Sequence, residues 1–302
     1  MIRVFTTLII TCLALLLYAQ RDMSNVQITA EKINDKLFML QGAGGNIVIS
    51  MGDDGVLMID DQFAPLSEKI MTKVKELSGG EVEFLINTHW HGDHTGGNEN
   101  FGKAGATIIA HENVRKRMAR GLTKIESGRD LPPAPSVALP LITFTDDMKV
   151  HFNGDELHLF HFHTGHTDGD GIIYFSGQNV IHMGDTFFKD RYPFIDLKSG
   201  GSVDGLLKTI DQVLFMVDDD TVIVPGHGSL ANKADLMRYK EVISELSEKV
   251  TMMKKEGKTE EEIVAAGISA KYDDTWGSGF INPTKFINFL YNGIMGDKMM
   301  DK

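Results

Sequence analysis

Short apolar runs broken by turn residues fill the first third of the chain, and they predict strands over residues 28–33, 37–40, 47–51 and 56–59. Between the last two, Gly52-Asp53-Asp54-Gly55 has the composition of a hairpin turn. The spacing then lengthens. Ile70, Val74 and Leu77 follow Ser67 at helical intervals, which predicts a helix with Ser67 as its N-cap and a stop at Ser78-Gly79-Gly80. A buried strand is expected over 82–86, and it delivers the chain directly into His89. A loop at the C-terminal end of such a strand is where α/β proteins place their chemistry.

The second half repeats the theme. Strands are predicted over 107–110, 156–162, 171–176 and 180–183, then a helix over 203–215, a strand over 221–224 and a helix from 234 to about 254. Pro132, Pro133, Pro135 and Pro140 mark a non-helical crossover between the halves. Two similar halves of mixed strand and helix predict one α/β domain, with two sheets packed face to face and helices outside.

Composition narrows the possible functions. The 302 residues carry 30 basic and 42 acidic side chains, a formal charge of −12, and such a surface repels a nucleic acid rather than neutralising its phosphates. With 42% apolar and 24% charged residues the chain is neither disordered nor a polytopic membrane protein. At the N-terminus, Arg3 precedes an apolar run over 4–19 that is short for a spanning helix but suits a signal peptide ending at Ala19. Residues 1–19 are therefore expected to direct export to the periplasm or beyond and be removed, leaving a domain over 20–302 with no membrane attachment. An uncleaved anchor is the alternative, because Leu17 is larger than the residue preferred there. Cleavage removes the lone cysteine, Cys12, and with it any thiolate nucleophile or ligand.

The chemistry is concentrated in His89-Trp90-His91-Gly92-Asp93-His94. Three imidazoles and a carboxylate are donors suited to Zn²⁺, with iron or manganese as other candidates. Alternation along an extended segment sends His89 and His91 to one side, and a turn at Gly92 lets Asp93 and His94 face a second centre, as in two-metal sites.

This His-x-His-x-Asp-His pattern, preceded by Thr88, resembles the metallo-β-lactamase-fold hydrolases, and the resemblance extends from about Ile28 to beyond His227. It implies a four-layer αββα sandwich and three further ligands downstream. His166 in Gly165-His166-Thr167 is similar to the family's Gly-His-Thr motif, whereas His161 and His163 read as strand-face residues. Asp185 in Gly184-Asp185-Thr186-Phe187-Phe188 is similar to the corresponding stretch of glyoxalase II, and His227 lies between Gly226 and Gly228. The ligand set implied is His89, His91 and His166 on one Zn²⁺, Asp93, His94 and His227 on a second, and Asp185 bridging. Asp93 and Asp185 are the catalytic carboxylates, a hydroxide shared by the metals is the nucleophile, and His182 stands behind the ligands.

The bridging Asp departs from true β-lactamases, which place Cys or Ser there, and is similar to glyoxalase II and lactonases. The lead expectation is an exported di-zinc hydrolase opening a cyclic amide or ester, of the β-lactam or lactone class. A glyoxalase II-like thioesterase is the alternative, although Lys285 and Lys298 are too isolated to suggest a grip on glutathione. A di-iron redox enzyme ranks third, because no electron-carrier domain is apparent. The expected partner is a small-molecule substrate. Lys189 and Arg191, just past Asp185, either hold a substrate carboxylate or are merely solvated. Residues 42–46 suggest a flexible loop over a groove, and Trp90, Phe187 and Phe188 either wall that groove or belong to the core.

Overall fold

Successive side chains on a strand point to opposite faces, and where both faces are buried, as over residues 47–50 and 56–59, the strand reads as a continuous apolar run, whereas residues 29–32 are exposed throughout. The computed structural model describes residues 22–121 and 131–293, so the N-terminal apolar run, Cys12, Ala19 and Lys298 lie outside the described residues. Strands β1 (Thr29–Lys32), β2 (Leu37–Gln41), β3 (Ile47–Gly52), β4 (Gly55–Ile59), β5 (Val82–Asn87), β6 (Thr107–His111) and β7 (Ile142–Phe144) lie in that order in a seven-stranded sheet. The first four pair antiparallel, and β4 to β7 are parallel. A second sheet has the order β12-β11-β10-β9-β8, formed by β8 (Asp147–Phe152), β9 (Asp155–Phe160), β10 (Ile172–Phe175), β11 (Val180–His182) and β12 (Val222–Val224).

Three apolar layers hold four structural layers together. Leu37, Met39, Val48, Leu57 and Ile86 of the first sheet meet Leu157, Leu159, Ile173 and Phe175 of the second. The alternate residues Leu40, Ile47, Ile49, Met58 and Leu85 face outward onto α1 (Ser67–Ser78) and α3 (Asn98–Lys103), which follows the single turn α2 (Gly92–Thr95). The outer face of the second sheet, with Ile172, Ile181 and Ile223, is covered by α5 (Val203–Met216) and α6 (Lys233–Lys255). This is the expected αββα sandwich. Among the described residues no helix is long and apolar enough to cross a membrane.

Several local expectations shift. Ser67 is the first helical residue rather than the cap, because a 3₁₀ turn over Ala64–Leu66 precedes it, and its hydroxyl accepts from Asn100 Nδ2 at 3.0 Å. Strand β9 stops at Phe160, so His161 and His163 lie in the following loop and not on a strand face. Helix α4 (Glu112–Arg120), too polar to show an apolar stripe, and the terminal helices α7 (Glu260–Ala265), α8 (Ala270–Trp276) and α9 (Pro283–Gly293) were not anticipated.

His111 caps α4 by accepting from the Asn113 amide, and its ring stacks on His161 with centroids 4.2 Å apart. Burial, reinforced by the neighbouring His161, pushes its pKa down to about 4. A depressed imidazole pKa means that the unfolded chain binds more protons, so this contribution to stability is complete above an ordinary pKa near 6.5 and declines as pH falls towards 4. Thermal melting of His111→Asn should therefore fall less steeply between pH 6.5 and 4.5 than that of the wild type. Parallel slopes would refute this.

Candidate metal centre

The implied ligands come from four loops at one end of the sandwich. Strand β5 leads into Thr88 and His89, and the β9–β10 connection carries His166. Asp185 follows β11, and His227 follows β12, which runs parallel to β11. Backbone bonds lock the two sheets together at this end, from Gly171 N to the Thr88 carbonyl at 2.6 Å and from Asn46 N to the Gly226 carbonyl at 2.7 Å.

All seven residues converge in two groups. His89, His91, His166 and Asp185 place one potential donor each within 4.8 Å of one another, and Asp93, His94 and His227 do likewise. Asp185 stands between the groups. Its Oδ2 lies 3.8 Å from His89 Nε2 and 3.6 Å from His166 Nε2, while its Oδ1 lies 3.1 Å from His94 Nε2 and 3.4 Å from His227 Nε2. Asp93 Oδ2 is 3.4 Å from His227 Nε2.

Hydrogen bonds behind the rings decide which nitrogen faces inward. The Thr88 hydroxyl donates to Asp60 Oδ2 at 2.7 Å and so accepts from His89 Nδ1 at 3.0 Å, leaving His89 Nε2 as a bare lone pair. Asp60 also takes the His94 Nδ1 proton at 2.7 Å, so one carboxylate orients both rings. Asp196 Oδ2 accepts from His91 Nε2 at 3.0 Å, and the Phe194 carbonyl accepts from His166 Nδ1 at 2.8 Å. His91 Nδ1 and His166 Nε2 then face each other at 2.8 Å, each with a lone pair.

Facing lone pairs repel unless a cation lies between them, and this is the test of fit. His89 Nε2 and Asp185 Oδ1 are likewise buried without a hydrogen-bond partner. An unpaired buried polar atom is costly, so atoms converging in this way suit divalent cations. Charge agrees. Burial, with His94 and His166 close by, holds His89 well below the usual imidazole range, and burial and His91 push His166 down to about 4, so these two rings stay neutral as ligands must. Burial opposes ionisation of Asp93 and Asp185, yet His94 and His227 overcome it, bringing Asp93 to about 2 and Asp185 well below its ordinary value. The same carboxylates outweigh burial at the partner rings, lifting His94 well above the usual imidazole range and His227 to about 9, so these two rings must release a proton to bind a cation.

Asp60 and Asp196 were missed because neither belongs to a motif. The only local mark on Asp60 is conformational: its φ of 60° is unusual for a non-glycine residue, the kind of strain that accompanies functional sites. Removing the acceptor behind a metal-binding imidazole typically costs about 10- to 100-fold in metal affinity. Asp196→Ala should therefore weaken zinc binding by that factor in a chelator competition titration while leaving the fold intact. Unchanged affinity would show that His91 needs no orienting partner.

Other expectations are revised. The segment 42–46 is clamped, not a free flap: Gly45 N donates to the Asp93 carbonyl at 3.0 Å, and Gln62 Nε2 donates to the Gly45 carbonyl at 2.7 Å. A Cβ on Gly45 would lie 2.0 Å from His94 Cε1. Phe187 is core, packed on Tyr239, and Trp90 is buried behind His91 among Ala110 and Val114. Phe188 stacks flat on His227 at 5.3 Å. His182 donates from Nε2 to the Asn46 carbonyl at 3.1 Å and accepts from Gly184 N at Nδ1, bracing the turn that presents Asp185. Lys189 is tethered by the Leu230 carbonyl and Asp235. His161 and His163 join neither group.

Residues 42–227 match the family model of the metallo-β-lactamase superfamily. The chain belongs to this superfamily. Hydroxyacylglutathione hydrolase of Polaromonas sp. is 26% identical over 188 residues, covering 62% of this chain and 63% of that relative, so the chain spans less than two thirds of its length. Metallo-beta-lactamase type 2 of Bacteroides fragilis is 22% identical over 236 residues, covering 75% of this chain and 88% of the relative. The solved metallo-beta-lactamase from Pontibacter korlensis superposes with a TM-score of 0.59 at 19% identity, over 72% of this chain and 99% of its own. That likeness supports the sandwich.

Proposed function

We propose that this chain is a metal-dependent hydrolase that holds two divalent cations, Zn²⁺ by the character of its donors, and opens a cyclic amide or ester of the β-lactam or lactone class. The observation that carries the reading is Asp185, whose two oxygens face the two groups of donors separately. His89, His91 and His166 would hold the first cation, Asp93, His94 and His227 the second, and Asp185 both. Bound there, the cations supply a water-derived nucleophile at neutral pH and positive charge for a developing oxyanion.

The protein's own part is preorganisation. Asp60, Thr88, Asp196 and the Phe194 carbonyl fix the ring tautomers, so the donors need not reorganise during turnover. Burial of His89, His94, His166 and Asp185 excludes water from behind the reacting groups, while the partly exposed Asp93 and His227 leave the approach on the side of the second group. The hydroxyacylglutathione hydrolase match and the carboxylate at the bridge favour thioester hydrolysis as a second reading.

Zinc-loaded protein screened against β-lactam, lactone and thioester panels separates the two. Turnover confined to thioesters would replace the first reading with the second, and none on any panel would refute both. The same proposal has residues 1–19 direct export, and mass spectrometry of the mature protein should find Gln20 or a close neighbour at the N-terminus. An intact Met1 in a cytoplasmic fraction would contradict it.

A further inference from the structure

Helix α4 stands beside the first group of donors although little of it is buried. Only Val114 of its nine residues is, packed with Trp90, whose ring centroid lies 4.5 Å from that of His91. Lys116 pairs with Glu112 one turn earlier, on the exposed side. Arg117 reaches the other way. Its Nε donates to Asp168 Oδ1 at 2.7 Å and its Nη2 to Asp168 Oδ2 at 2.6 Å, and both side chains are largely shielded from solvent. A two-pronged pair of this kind fixes direction as well as distance, which a lysine would not do. A second bond from α4, Asn113 Nδ2 to the Asp168 carbonyl at 2.8 Å, holds the same residue by its main chain.

Asp168 lies two residues past His166, but it is Asp170 that shapes that loop from within, accepting from the amides of His166 and Thr167 at 2.7 and 2.9 Å. Asp168 links the loop outward instead. Its amide donates to the Ser199 carbonyl at 2.9 Å, and Ser199 closes the 3₁₀ turn over Leu197–Ser199. The Ser199 amide in turn donates to Asp196 Oδ1 at 3.1 Å, while Asp196 Oδ2 accepts from His91 Nε2 at 3.0 Å. An unbroken set of bonds therefore runs from Arg117 through Asp168, Ser199 and Asp196 to His91. Packing reinforces it. Gly200 ends the turn with a φ of 80°, and a Cβ there would lie 3.0 Å from Asp168 Cβ, so the Asp168 side chain rests directly against the turn.

From this arrangement, and resting on the two-cation reading above, we propose that Arg117 is a positioning residue for the first cation: by gripping Asp168 it holds the turn that carries Asp196, and so keeps His91 Nδ1 facing inward. Arg117 itself touches neither His91 nor any other proposed ligand. Its effect passes through Asp196, so the two residues should not act independently.

The test is a double-mutant cycle read as zinc affinity. Wild type, Arg117→Ala, Asp196→Ala and the double variant are titrated with zinc against a chelator, with melting of the metal-free proteins as the check on folding. Arg117→Ala should weaken binding of one zinc by about tenfold, the low end of the range for partners behind a ligand, and should add little once Asp196 is already Ala. Arg117→Lys, which keeps the charge and loses the fork, should fall between wild type and Arg117→Ala. If the Ala variant does not melt cooperatively, Arg117→Lys takes its place in the same cycle. Unchanged affinity, or the same factor lost with and without Asp196, would overturn the proposal. Turnover on the substrate panels is measured separately: affinity that depends on Arg117 without any hydrolysis supports the positioning role and removes only the hydrolase reading.

Discussion

Asp185→Asn should cost the protein one of the two proposed cations and slow hydrolysis of any substrate by about 10²-fold or more, the range seen when a key electrostatic group is removed. The substitution keeps the volume of the side chain and changes only its charge and one oxygen. In the native arrangement Oδ1 faces His94 and His227 while Oδ2 faces His89 and His166. An amide can present a carbonyl oxygen to one group only, and to the other it presents an N–H₂ that cannot act as a ligand. The second group has the more exposed members, Asp93 and His227, and should lose its metal first. Elemental analysis and steady-state rates on one preparation check both halves. Asp185→Cys sharpens the test, since a thiolate can still bind zinc. Full metal content and unchanged rates in both variants would reduce Asp185 to a turn residue.

The second large effect is expected where no ligand is touched. Gly45→Ala introduces a methyl group whose ideal position is 2.0 Å from His94 Cε1 and 2.4 Å from His94 Nε2. Neither side can retreat easily. Asp60 holds the ring at Nδ1 at 2.7 Å, and the Gly45 backbone is bonded on both sides, to Asp93 at 3.0 Å and Gln62 at 2.7 Å. Overpacking of this kind costs about 1–3 kcal/mol, and here the displaced group is the inward-facing nitrogen of a proposed ligand. The variant should fold with a lowered melting temperature, bind about one zinc and lose activity about as severely as Asp185→Asn. Wild-type zinc content with wild-type melting would show that the segment over 42–46 yields after all.

Much of this arrangement was legible in the chain, because strands buried on both faces leave continuous apolar runs, and His89 to His94 compress four donors into six residues. His166 and Asp185 were legible only through their resemblance to the family's motifs, and His227 also through the glycines beside it, which reflect close approach: a Cβ on Gly226 would sit 2.0 Å from Asp185 Oδ1. The residues that orient the donors were not. Asp196 acts on His91 across 105 positions, and a single carboxylate at such a distance has no periodicity to announce it. Helix α4 escaped notice because only Val114 of its nine residues is buried. The run 42–46 looked mobile because glycine serves flexibility and close packing alike, and only the contacts with His94 and Gln62 tell them apart.

Seven side chains are proposed to hold two cations, and metal stoichiometry measures that directly. Protein purified without chelators, supplied with excess zinc and freed of unbound metal by gel filtration should contain two zinc ions per chain by elemental analysis. His89→Ala should bind fewer, and His163→Ala should match the wild type. A wild-type value that stays at or below one zinc per chain in excess metal would contradict the two-centre arrangement and the role assigned to Asp185.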